Sequence, residues 1–203
     1  NGSVYIATDL GLSRIGTDGK VYTWLDIDGL PSNELCGIEE DAEGNIWVAG
    51  YLGGAARLDA AGNFKAVPVS ELVSDELNDL FIDSSGYVWF AGDGGIAVFD
   101  VDKWKTVGWL VPKKSDAKAR PGLVKLLPDR RVTAVAEDTD GNFYLGLWRN
   151  GLWHLKLKDK AISKVAEVKS DFIYRLVPYA DKGFLVGTYG HGLQTLKCNT
   201  PPA

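Results

Sequence analysis

Trp47-Val48-Ala49-Gly50, followed after a variable turn by Gly54-Ala55, is one of five copies of a single block in this chain. Each copy reads as an aromatic or apolar residue, small or apolar residues, a turn, a glycine and another apolar residue. The other four are Tyr5-Ile6-Ala7-Thr8 to Gly11-Leu12, Trp89-Phe90-Ala91-Gly92 to Gly95-Ile96, Tyr144-Leu145-Gly146-Leu147 to Gly151-Leu152, and Leu185-Val186-Gly187-Thr188 to Gly192-Leu193. Their leading positions fall 42, 42, 55 and 41 residues apart. A period of about 40 to 45 residues built from short strands belongs to propeller blades.

Working outward from Trp47, the second repeat predicts strands over Glu34 to Glu40, Ile46 to Gly50, Ala55 to Leu58 and Phe64 to Val67. Asp41-Ala42-Glu43-Gly44-Asn45 supplies the first hairpin turn, with Asp bonding nearby N–H groups and Gly accepting positive φ. Asp83-Ser84-Ser85-Gly86 and Asp138-Thr139-Asp140-Gly141 repeat that chemistry in the third and fourth copies. A calcium-loop reading of Asp138 to Asn142 fails, because no Glu ligand stands at the required downstream position. Four antiparallel strands per repeat make a blade. The expected fold is an all-β propeller of about five four-stranded blades, one domain over 1–203 with repeats near 1–32, 33–74, 75–129, 130–169 and 170–203. The first copy starts at its second strand and the last ends after its third. Either the ring closes with two incomplete blades or the chain is part of a larger propeller.

Composition narrows the function. The 203 residues are 45% hydrophobic with seven Trp and eight Tyr, which excludes a disordered chain. No apolar run approaches the roughly 18 residues of a membrane span. A net charge of −5 provides no general attraction to phosphate, so nucleic acid is not an expected partner. Cys36 and Cys198 are too few for a disulfide scaffold, lack metal-ligand spacing, and are expected as free thiols. Methionine is absent, position 1 included, so a processed or excised chain is expected.

The stretch Gly29-Leu30-Pro31-Ser32-Asn33-Glu34 through Gly44-Asn45-Ile46-Trp47-Val48-Ala49-Gly50 resembles the two-component regulator propeller repeat. That repeat also begins Gly-Leu-Pro-Ser-Asn, passes through an Asp-rich turn with Gly-Asn, and continues with Trp, a small residue and a Gly-Gly-Leu-like third strand. Weaker copies stand at Leu72 to Leu77, Leu127 to Val132 and Val168 to Ile173. The resemblance implies a sensor propeller outside the cytoplasmic membrane, joined to a histidine kinase, or a module of another bacterial envelope protein. Its implied location is periplasmic or extracellular. The chain itself carries no kinase residues.

Positions that a blade requires should look alike in all copies, while positions open to function should differ. Trp47 and Trp89, matched by Tyr5 and Tyr144, behave as repeated packing residues. The turn after the second strand differs most: its first residue is Asp9, Tyr51, Asp93, Trp148 and Tyr189 in order, with Arg149 and His191 beside the last two. In propeller geometry these turns ring one mouth of the central channel, and loops on a rigid scaffold are where binding residues concentrate. Such a set suits a small polar ligand with an apolar face, a glycan or a peptide segment.

From Val101 to Arg131 nine basic residues face three acidic ones. Lys113, Lys114, Lys118 and Arg120 fall in a Pro-bounded segment expected to be a solvated loop, or a docking surface for an acidic partner or anionic glycan. His154 is assigned to a strand face, whereas His191, between glycines, could reach the channel mouth. Streptogramin lyases are also Gly-rich propellers that use a loop histidine with magnesium, so a lyase or hydrolase is the alternative. No nucleophile elbow, phosphate loop, zinc signature or paired-carboxylate spacing accompanies that histidine. The expectation is a non-catalytic binding or sensor module with no metal or cofactor, and a protein interaction scaffold is the remaining alternative.

Overall fold

The computed structural model describes residues 2–179 and 183–198, so the ends of the expected first and last repeats, 1 and 199–203, lie outside the described residues. Five sheets follow one another along the chain. Blade one is β1 (Val4–Thr8), β2 (Gly11–Ile15) and β3 (Val21–Trp24). Blade two is β4 (Leu35–Glu40), β5 (Ile46–Gly50), β6 (Ala55–Leu58) and β7 (Phe64–Ala66). Blade three is β8 (Leu77–Ile82), β9 (Val88–Gly92), β10 (Gly95–Asp100), β11 (Lys105–Pro112) and β12 (Leu123–Leu127). Blade four is β13 (Val132–Glu137), β14 (Phe143–Leu147), β15 (Gly151–Lys156) and β16 (Ala161–Lys164); blade five is β17 (Ile173–Pro178), β18 (Gly183–Thr188) and β19 (Leu193–Lys197). The fold is an all-β propeller of five blades. As its copy of the repeat requires, blade one has no counterpart of β4, and blade five has no fourth strand among the described residues.

Blade three has five strands rather than four. The segment read as a loop narrows to residues 113–122, and the chain then returns as β12, which pairs parallel to β11 from Trp109 opposite Leu123 onward. Two glycines permit this crowding. Gly95 (φ +129) would place a Cβ 2.0 Å from the Leu110 carbonyl oxygen, and Gly122 (φ +74) one 2.2 Å from that of Val107.

The core lies in the seams between blades, one apolar cluster to each seam. Trp47 and Trp89 are 0% and 1% exposed. Their burial would strand an indole N–H, and the hairpin-turn aspartates resolve this. Trp47 Nε1 donates to Asp41 at 2.9 Å and Trp89 Nε1 to Asp83 at 2.7 Å. The same carboxylates accept the turn N–H groups of Asn45 and of Ser85 and Tyr87. One Asp therefore closes the turn and anchors the packing residue, which explains why the two recur together six residues apart.

A second device joins the blades around the channel. Each innermost strand has a bulge at one register, which leaves Cys36, Asn78, Thr133 and Tyr174 outside the ladder. In three blades this residue bonds to the first residue of the next innermost strand. Cys36 Sγ donates to Leu77 O at 3.3 Å, Asn78 Nδ2 to Val132 O at 3.1 Å and Thr133 Oγ1 to Ile173 O at 2.6 Å. The bulge thus becomes a blade-to-blade clasp. Tyr174, in blade five, is instead half-exposed at the channel.

Candidate functional site

The variable turns ring one end of the channel, and in blades two to five their backbones are held identically. The N–H of Tyr51 donates to Glu34 O, that of Asp93 to Glu76 O, that of Trp148 to Arg131 O and that of Tyr189 to Phe172 O, at 2.8 to 3.1 Å. Each acceptor immediately precedes or begins the approach to its blade's innermost strand. The mouth is therefore a fixed frame of backbone on which side chains differ.

Those side chains divide by sector. Asp9 is exposed on blade one, and Tyr51 is 44% exposed on blade two. Asp93 is drawn inward: Arg131 donates to it through Nε at 2.7 Å and Nη2 at 2.6 Å, Asn78 Nδ2 reaches it at 3.2 Å, and Arg130 lies at 3.7 Å. Burial opposes its charge, yet the bonds from Arg131 and Asn78 hold the carboxyl below its ordinary range. Its side chain is 5% exposed and is committed to the junction of blades three and four rather than presented at the mouth. Arg149 is exposed in a left-handed conformation (φ 60), and His191 is exposed.

On blades four and five the mouth is aromatic. Trp148 meets Phe172 edge-on at 4.9 Å and Tyr174 at 6.1 Å, and Tyr189 lies 6.0 Å from Phe172 and 6.2 Å from Tyr174. The Arg131 guanidinium sits 5.6 Å from the Trp148 ring. Tyr174 and Tyr189 are 50% and 65% exposed. Of the positions expected at the mouth, Trp148 and Tyr189 are thus brought into one cluster, together with Phe172 and Tyr174 from a neighbouring segment.

Below the cluster lies a polar throat. Arg175, on β17, reaches across to pair with Asp79, on β8, whose other oxygen accepts the Val135 N–H at 3.1 Å. Burial pushes the Asp79 carboxyl up to about 6, against the pull of Arg175 and the Val135 bond. Burial also raises Glu39, again opposed by Arg175. Cys36, half-buried and near the Asp79 charge, is pushed up to about 12, which makes it an inert thiol. Asp79 and Arg175 occupy the register that Gly37 and Ala134 occupy in blades two and four. Comparing copies at the innermost strand, as at the turns, is the signal that points to them.

Elsewhere, Lys113, Lys114 and Lys118 are exposed, while Arg120 lies 3.3 Å over the Trp109 ring. Lys125 Nζ, bonded to Ser115 O at 2.6 Å, ties down the same loop. His154 lies on β15, stacked on Tyr144 at 4.7 Å, and burial lowers its pKa against the nearby Asp138. Both cysteines are free thiols. Among the described residues no group of His, Cys, Asp and Glu is arranged to hold a metal, and no helix is long and apolar enough to cross a membrane.

The two component regulator propeller family matches residues 29–51. No curated protein shows significant sequence similarity. Among solved structures, the chain resembles two extracellular domains from B. thetaiotaomicron described as parts of hybrid two component systems, with TM-scores of 0.74 and 0.71 at 19% identity. The match covers 96% and 99% of this chain but 25% and 30% of those domains. Virginiamycin B lyase from Staphylococcus aureus superimposes with a TM-score of 0.63 at 13% identity, covering 98% of this chain and 68% of the lyase. The chain is a five-bladed β-propeller that carries a two-component regulator propeller repeat at residues 29–51.

Proposed function

We propose that the chain is a non-catalytic ligand-binding module of an extracellular bacterial sensor or envelope protein, which reads a small polar ligand with an apolar face at the channel mouth. The observation that carries this reading is the aromatic cluster of half-buried Trp148 and Phe172 with exposed Tyr174 and Tyr189 above the Arg175–Asp79 pair. Aromatic faces supply contact area at low entropic cost, and a guanidinium supplies direction to a carboxylate or hydroxyl array. The extracellular two-component domains of similar fold support a sensing role outside the cell. In this reading His191, exposed between glycines, is a contact for the ligand rather than a catalyst. The test is a glycan and peptide array probed with the wild-type chain and with Tyr174→Ser/Tyr189→Ser. Hits lost by the double variant and recovered unchanged after incubation are expected; hits that ignore the substitutions, or come back cleaved, would sink the reading.

A further inference from the structure

A second surface lies on the outer rim of blade three, where the repeat is interrupted. Blades one, two and four end at β3, β7 and β16, whereas blade three continues through residues 113–122 into β12. β12 is the last strand of its sheet, so one of its edges has no strand beside it. Cations gather around that edge. Lys113, Lys114, Lys118, Arg120 and Lys125 are all exposed, and none of them makes an ion pair among the described residues. Asp116 is the one acid between residues 113 and 125. Adding Glu71, whose charge reaches Arg120, and Asp129, two residues past β12, still leaves five cations against three acids.

The segment that carries these charges is tied at several points. The N–H of Lys113 donates to Leu127 O at 3.0 Å, that of Ser115 to Pro112 O at 2.9 Å and that of Leu123 to Arg120 O at 3.2 Å. Ser115 Oγ accepts the Ala117 N–H at 3.1 Å, and Lys125 Nζ reaches Ser115 O at 2.6 Å. The Arg120 guanidinium lies over the Trp109 ring at 3.3 Å, a placement that leaves its rim of N–H groups for a carboxylate. The positive charge is therefore displayed on a fixed frame beside an open strand edge. The charge selects an anion. The edge selects a polypeptide, because a strand supplies the alternating N–H and C=O groups that a sheet edge pairs. Lysine along an edge repels strands of its own charge, so the strand it admits is acidic.

We propose that the outer edge of blade three docks an extended acidic segment of a partner protein, added as a strand beside β12 with its carboxylates on Lys113, Lys114, Lys118 and Arg120. This surface is separate from the channel mouth and does not depend on what the mouth binds. The test is fluorescence anisotropy at low salt, where surface charge is least screened. The probes are labelled peptides of about ten residues, one alternating Glu and Thr and one alternating Gln and Thr, with heparin measured alongside. Saturable binding of the Glu peptide, at least about tenfold tighter than that of the Gln peptide, is expected, and Lys113→Ser/Lys114→Ser/Lys118→Ser, at three exposed positions, should weaken it about tenfold. Hydrogen exchange should slow at those β12 amides that β11 leaves free. No binding of the Glu peptide, or binding indifferent to the three substitutions, would overturn the surface. Binding that leaves β12 exchange unchanged would overturn strand addition, and heparin bound where the Glu peptide is not would replace the acidic segment with an anionic glycan.

Discussion

The side chains that hold this propeller and those that can serve it are separated by what their polar atoms bond. Trp47 is buried with its indole N–H on Asp41, so Trp47→Ala leaves a cavity and removes one of the donors to that carboxylate, which Asn45 still bonds. A loss of about 3–5 kcal/mol is expected, read from the denaturant midpoint. Asp79 behaves differently. Its folded-state carboxyl lies near 6, above its ordinary 3.8, so the folded protein holds this proton more tightly than the unfolded chain does. The contribution is fully present below 3.8 and is lost as pH rises through about 6. Asp79→Asn should flatten the dependence of stability on pH in that window; an unaltered slope in the variant would assign the titration elsewhere. The turn residues at the mouth were legible because five copies of one turn stand side by side in the sequence. The Asp79–Arg175 pair was not, because its partners lie 96 residues apart in different blades and only the closed arrangement brings them together.

At the scale of elements, second and third strands are the readable part of a blade. The tryptophan or tyrosine, the small residues and the glycine all act within one hairpin, so local sequence specifies them. β12 escapes that logic: a parallel partner needs no hairpin signal, and the prolines and lysines before it mark a loop correctly without showing where the chain returns. Its attachment is testable. Gly122→Ala would force a Cβ to 2.2 Å from the Val107 oxygen at positive φ, so the Trp109 N–H bond to Gly122 O should break. Faster hydrogen exchange at the Trp109 amide, with blade four unaffected, is the expected result.

Across the whole molecule, the two end blades present faces of the type that other blades bury. Val4 and Ile6 are 56% and 41% exposed, whereas Ile46, Val48, Val88 and Phe90 at the same positions do not exceed 4%. Val177 and Leu193 on blade five are 47% and 68% exposed. Apolar surface of this kind binds hydrophobic dyes. Anilinonaphthalene sulfonate fluorescence should therefore be bright with this chain and fall by about half or more in Val4→Thr/Ile6→Thr, since the dye partitions with apolar area; equal brightness would place the dye elsewhere. The backbone frame at the mouth has a different consequence. Because the N–H of Tyr51, Asp93, Trp148 and Tyr189 is satisfied by a carbonyl rather than by a side chain, the backbone of these turns does not dictate the residue displayed, and of the four only Asp93 is tied by ion pairing between blades. Blades of this kind are interchangeable letters: the binding surface can be rewritten one position at a time, by mutation or by exchange of whole repeats, while the ring that carries the letters stays the same.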